Sequence, residues 1–335
     1  MNIGLRILIG LAAAGALILT ALLAAVNLGG LERQARADVG RAWTLPPAFE
    51  YAVGASAQDP AAGTAPPPAG TDALAAGGAA ADSGPDAAWV DTPLAAPGVP
   101  VTDADIEALP EPARRYFRHA GAVGKPRITS FSVILEGRIR NGPVDPWMPL
   151  VMRQFNRLDN PARVVFLTST KPPMNGIDSF LDGRGRMLIK AVNLIKVVDS
   201  RWPEMAVSAF ATFLNDLTLC PLAYFSLPLR WRQVGPDDVK LSMTHEGMTV
   251  TAVMTVDAEG RPVNWRTDDR YAEVKGNTMK DRWSTPFEGT KELAGLRIPE
   301  KGAGVHDYDG TPYVYVELDR ISSLVLDAES LPGRL

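Results

Sequence analysis

The chain has 335 residues, with 34 Lys and Arg against 38 Asp and Glu and a net charge of -4, so neither length nor charge points to a nucleic-acid partner. Apolar residues make up 46% and charged residues 21%, a globular balance with enough chain for one large core. Cys220 is the only cysteine, which excludes an intrachain disulfide and a cysteine-based zinc site; within "LTLCPLAYF" it reads as a small buried hydrophobe.

After Arg6, the run "ILIGLAAAGALILTALLAAVNLGG" carries no charge over more than twenty residues. At about 1.5 Å per residue that length matches a bilayer core, and it predicts a single transmembrane anchor over residues 1–30. A signal sequence is the alternative, with Ala24 and Ala25 as small residues near a cut. Arg33, Arg36 and Arg41 follow the span while only Arg6 precedes it, a bias that favours a cytoplasmic downstream chain.

Residues 31–101 read as a juxtamembrane segment and then a linker. From about Glu50 the stretch "GTAPPPAGTDALAAGGAAADSGPDAAW" is mostly Ala, Pro and Gly, and no Lys or Arg occurs between Arg41 and Arg114. So few large apolar side chains do not offset the entropy of ordering, which predicts a disordered linker.

The folded domain is expected over 102–330. "TDADIEALPEPARRYFRHAG" opens it with two short helices, the first capped by Thr102 or Asp103 and the second started by its prolines and stopped at Gly121. Leu109, Ala113, Tyr116 and Phe117 form the apolar stripe. "ITSFSVILEGRI" alternates, with Phe131, Val133, Leu135 and Ile139 on one face. "RGRMLIKAVNLIKVVD" at 184–199 reads as a strand but is apolar on both faces, which demands cover on both. "PEMAVSAFATFLNDLTL" supplies a helix for one of those faces. The remainder reads as strands with turns at Glu246-Gly247, Glu259-Gly260 and Gly276-Asn277, an antiparallel meander. The predicted class is α+β: one strongly curved, mostly antiparallel, half-barrel-like sheet with helices on its concave face, plus the N-terminal transmembrane helix.

"LPEPARRYFRHA" at 109–120, "WMPL" at 147–150, "FLDGRGRMLIKAVNLIKVVD" at 180–199 and the helix followed by "CPLAYF" resemble a bacterial, membrane-anchored family catalogued as a domain of unknown function. The likeness spans 104–330 and implies relationship without an activity. More loosely, helix-packed strands with "VDAEGRPV"-type hairpins look like the lipoprotein carriers LolA and LolB, whose half-barrels bind acyl chains. The carrier likeness and the Ala/Pro linker favour a folded domain outside the cytoplasm, against the arginine count. The reading adopted is a single-pass protein of the bacterial envelope with an extracytoplasmic domain.

Signatures of catalysis fail on inspection. "GAVGKP" has Pro126 where a phosphate-binding loop needs Ser or Thr, and "GRGRML" lacks the third glycine of a dinucleotide fingerprint. His119, His245 and His306 are far apart, and His245-Glu246 is not part of a zinc-protease motif. "HDYDG" at 306–310 and the mixed charges of "RTDDRYAEVKGNTMKDR" read as an acidic turn and a solvated face. No catalytic residue, metal or cofactor is assigned.

Methionine stands out. Apart from Met1, every methionine lies between Met148 and Met279, several on apolar strand faces, and flexible thioethers suit a surface that accepts variable apolar shapes. Together with the two-faced strand, this predicts membrane-tethered, non-catalytic binding or transfer of a lipid or other apolar small molecule, with Met152, Phe166, Met187, Ile189, Phe210, Met243 and Met254 lining the site. An envelope scaffold with a filled core is the alternative, and a hydrolase with a His/Asp/Glu site the third reading.

Overall fold

In the computed structural model of the protein the described residues are 3–49, 51, 88–274 and 277–333, with side chains described at 14–19 and from residue 29 onward. Helix α1 (Ile3–Thr44) leads, followed by β1 (Val90–Asp91), α2 (Asp103–Glu107) and α3 (Glu111–Ala120). A meander follows: β2 (Ser130–Ile139), β3 (Met148–Arg157), β4 (Ala162–Thr170), β5 (Pro173–Leu181), β6 (Arg184–Ala191) and β7 (Ile195–Ser200). Helix α4 (Pro203–Asp216) and two 3₁₀ turns (Leu217–Leu219, Pro221–Ser226) then lead into β8 (Arg230–Gln233), β9 (Asp238–His245), β10 (Met248–Val256) and β11 (Pro262–Thr267). Hairpin β12 (Tyr271–Val274) and β13 (Asn277–Lys280), strand β14 (Trp283–Glu288), hairpin β15 (Lys291–Leu293) and β16 (Leu296–Ile298), β17 (Lys301–His306) and β18 (Tyr313–Leu326) complete the chain.

Fourteen strands form one sheet in the order β1-β8-β9-β10-β11-β14-β17-β18-β2-β3-β4-β5-β6-β7. Every neighbour pair is antiparallel. Two meanders are thus welded by β18 on β2, with Leu324 opposite Val133 and Val316 opposite Ile139. A twisted sheet of this width curls rather than lying flat. Its curl is visible in α4, which packs on β5 and β6 of one half and on β10 of the other. The architecture is the α+β arrangement expected, one large curved antiparallel sheet with few helices.

Local chemistry explains the helices. Thr102 caps α2 through a reciprocal box with Asp105, and Gly121, at φ 74°, ends α3 in the left-handed conformation that glycine favours. Leu109, Ala113, Tyr116 and Phe117 are buried in the main core with Phe210, Phe213, Tyr224, Trp231 and Trp265. Fully burying each such side chain contributes about 1.5–3 kcal/mol.

The stretch 184–199 is not one strand. Val192 and Asn193 adopt left-handed φ of 41° and 58° in the tight turn between Ala191 and Ile195, and split it into β6 and β7. The broken alternation comes from this turn, which resets which residues face inward. Two different elements then cover β6. On the outer face Leu188 joins a second apolar cluster with Phe155, Val164, Phe166 and Ile177, under Leu31, Ala35, Val39 and Ala42 of α1. On the inner face Gly185 lies against α4.

The helix α1 therefore continues past residue 30 and packs on the sheet, and Val90 already pairs with Trp231, so parts of the region grouped as juxtamembrane segment and linker belong to the folded body. Residues 52–87, the Ala/Pro/Gly tract, lie outside the described residues, as does Gly276 of one expected turn. Among the described residues no helix is long and apolar enough to cross a membrane; the side chains of most of the expected span lie outside the description.

Candidate functional site

Between the inner face of β2–β7 and the facing wall of β14, β17 and β18 lies a cavity of about 580 Å³. One wall is built from Met148, Leu150, Met152, Leu167, Met187 and Ile189. The other wall carries Trp283, Ala303, Tyr315, Val316 and Leu318. Strand parity places them: in β3 the even residues Met152 and Gln154 face inward, and in β6 the odd residues Met187 and Ile189 do. The volume lies within the roughly 300–1,000 Å³ of small-molecule sites, which are also mostly apolar with a few placed polar groups.

Those polar groups gather where α4 meets the sheet. Asp216, near the end of α4, accepts hydrogen bonds from Arg163 Nε at 2.6 Å and Gln154 Nε2 at 2.8 Å, while Arg163 Nη1 donates to Asp178 at 2.5 Å. All four side chains face the cavity together with Asn215 and Thr212. Burial pushes the Asp216 carboxyl above its ordinary range, opposed by the adjacent Arg163. Arg163 in turn is held more firmly protonated by the two carboxylates, which outweigh its own burial.

Of the seven residues singled out as lining, the cavity brings together Met152, Met187 and Ile189. Phe166 points the other way, because in β4 Arg163 and Leu167 take the cavity face and Phe166 the face under α1. Phe210, Met243 and Met254 lie in the closed core, Phe210 stacked on Phe180 at 5.4 Å. Met148 and Met174, two of the methionines noted in sequence, do reach the wall. The polar group of Gln154, Arg163, Asp178, Asn215 and Asp216 was missed; the Asn-Asp pair breaking the apolar face of "FLNDL" was its visible signal.

The histidines do not form a shared site. His245 packs against Phe180 and Phe210 with centroids at 6.0 and 5.8 Å, and burial lowers its pKa. His306 does meet an acid: its Nδ1 is 2.5 Å from Asp281, beneath Tyr315 at 3.9 Å between ring centroids. Asp281 also accepts the Asp307 backbone N–H at 2.8 Å, so both its oxygens tie down the chain around β17. Among the described residues no hydroxyl or thiol is hydrogen-bonded to His306, and no cluster of His, Cys, Asp and Glu suits a metal ion.

Comparison with solved structures finds a crystal structure of a LolA superfamily protein from Nitrosomonas europaea, at 13% identity and a TM-score of 0.34, covering 70% of this chain and 96% of that one. No curated protein matches the chain. A family profile does, across α2, α3, the first meander and most of the second, and with residues 99–318 matched the chain belongs to DUF6544, a family of unknown function.

Proposed function

We propose that the protein binds an apolar ligand of the lipid class in the cavity between its two half-sheets and transfers it without catalysis. The observation that carries this reading is the cavity itself: about 580 Å³ open between two apolar walls, beside a core of buried apolar and aromatic side chains. Partition supplies the affinity, since each acyl CH₂ removed from water contributes about 0.8 kcal/mol. Methionines on β3, β5 and β6 supply a wall that can repack around chains of different shape. A filled-core scaffold has no use for such a void.

The cellular setting belongs to the same proposal: residues 1–30 anchor the chain in a membrane, and the folded domain lies on the extracytoplasmic side. An alkaline phosphatase fused after Leu335 is then active; an inactive fusion, with an active cytoplasmic reporter at the same point, reverses the orientation.

The function is tested by native mass spectrometry with lipid extraction on the full chain purified from the producing cell. Copurifying acyl species, lost in Met187→Glu and Ile189→Glu while the thermal transition is kept, support the carrier. A ligand-free mass with no uptake of added lipid moves the reading to the scaffold.

A further inference from the structure

The polar end of the cavity has more hydrogen-bonding capacity than the protein uses. Gln154 is fully buried at 0% exposure, donates through Nε2 to Asp216 and Asn156, and leaves its carbonyl Oε1 without a partner. Asn215 is 6% exposed and its Nδ2 has no partner either. Both side chains border the cavity, flanking Asp216. A buried polar atom left unpaired is costly, so an unpaired acceptor and an unpaired donor on residues that border the void are a pair of unfilled places.

Charge decides what fills them. The Arg163 guanidinium is already matched by Asp178 at 2.5 Å and Asp216 at 2.6 Å, so this end of the cavity offers no surplus positive charge to an anion. The other charge on the cavity wall, Arg270, comes from the opposite half of the sheet, where it lies over the Trp283 ring at 4.2 Å with Nη1 3.4 Å from the Tyr315 hydroxyl. Resting on the cavity reading above, we infer that the ligand enters head first and carries an uncharged head that both donates and accepts hydrogen bonds, as in a long-chain amide or alcohol, with Gln154 Oε1 and Asn215 Nδ2 reading that head. Dodecyl phosphate fails there because its charge meets two carboxylates, and dodecane fails because it leaves both polar atoms unpaired.

Competition against the neutral fluorophore N-phenyl-1-naphthylamine on the full chain tests this, using dodecanamide, 1-dodecanol, n-dodecane and dodecyl phosphate as competitors. Dodecanamide and dodecanol are expected to displace the fluorophore at concentrations at least tenfold below those of the other two. Gln154→Leu and Asn215→Leu, checked for an unchanged circular dichroism spectrum, are each expected to narrow that gap severalfold while fluorophore binding persists. Equal potency of dodecane, or a phosphate preference abolished by Arg270→Met, overturns the inference and leaves the apolar cavity standing. Selectivity in the unsubstituted protein decides the matter even where a variant fails to fold. No fluorophore binding at all overturns the cavity reading and this inference with it.

Discussion

A Cβ atom on Gly185 of β6 would stand 2.2 Å from the carbonyl oxygen of Met205 in the first turn of α4, so the helix rests directly on the strand's backbone. The contact involves main chain on both sides and has no flexible side-chain end to yield. Gly185→Ala therefore pushes α4 away from β6. Overpacking of this kind costs about 1–3 kcal/mol, expected as a lower urea midpoint at unchanged slope. Uptake of apolar ligand changes with it, because the same helix carries Asn215 and Asp216 at the polar end of the cavity.

Ile189 of β6 lies on the cavity wall. Ile189→Trp projects a larger ring system into the void, so stability and uptake part company. The melting temperature stays level or rises as empty space is filled, while ligand retained in native mass spectrometry falls at least fivefold. A parallel loss of both would place Ile189 in a closed core.

Arg163 is clamped by two carboxylates below the sheet surface. Arg163→Met leaves Asp178 and Asp216 facing each other without their cation, and breaking such a buried pair costs about 3–5 kcal/mol. Adding Asp178→Leu and Asp216→Leu removes the stranded charges and restores most of the loss. Chemical denaturation of the single and triple variants reads both effects.

His245 supplies a pH dependence whose sign follows from its packing. Its Nε2 is buried without a partner between Phe180 and Phe210, and burial holds its pKa below the ordinary value of about 6.5. In the folded protein it takes up a proton less readily than in the unfolded chain, so the unfolded state binds more protons in this window. Its contribution to stability is full above about pH 6.5 and is lost as pH falls through the folded pKa. His306 shifts the same way, burial outweighing the nearby Asp281 carboxylate. His245→Phe, which keeps the ring stack, is expected to flatten part of the decline in urea stability between pH 7.5 and 5. The opposite titration of Asp216 cancels in the comparison because both proteins carry it.

Much of this fold is legible in residue order because it is local. Thr102 and Gly121 bound their helices by cap chemistry, Asp182-Gly183 takes the left-handed turn geometry that both residue types favour, Gly247 supplies it in the turn between β9 and β10, and Phe131, Val133 and Leu135 alternate into the core. What escaped is non-local. Val192-Asn193 lacks the glycine that marks a tight hairpin, so β6 and β7 read as one strand. Phe166 and Leu167 are both apolar, and only the pairing of β4 with its neighbours and the arrival of α1 decide which of them faces the cavity. The link from Gln154 to Asp216 joins residues 62 apart in sequence, beyond the reach of any periodicity.

Among the described residues the open sheet has two unpaired margins. At one, β1 is only two residues long. At the other, β7 exposes Ile195 and Val197 at 63% and 52%, a surface that invites a neighbouring chain to add a strand. Lys196 sits between them, and the ladder to β6 slips register between Ile189 and Lys190. Adding a strand here would desolvate the Lys196 ammonium and follow a kinked template, and both penalise growth of the ladder beyond β7.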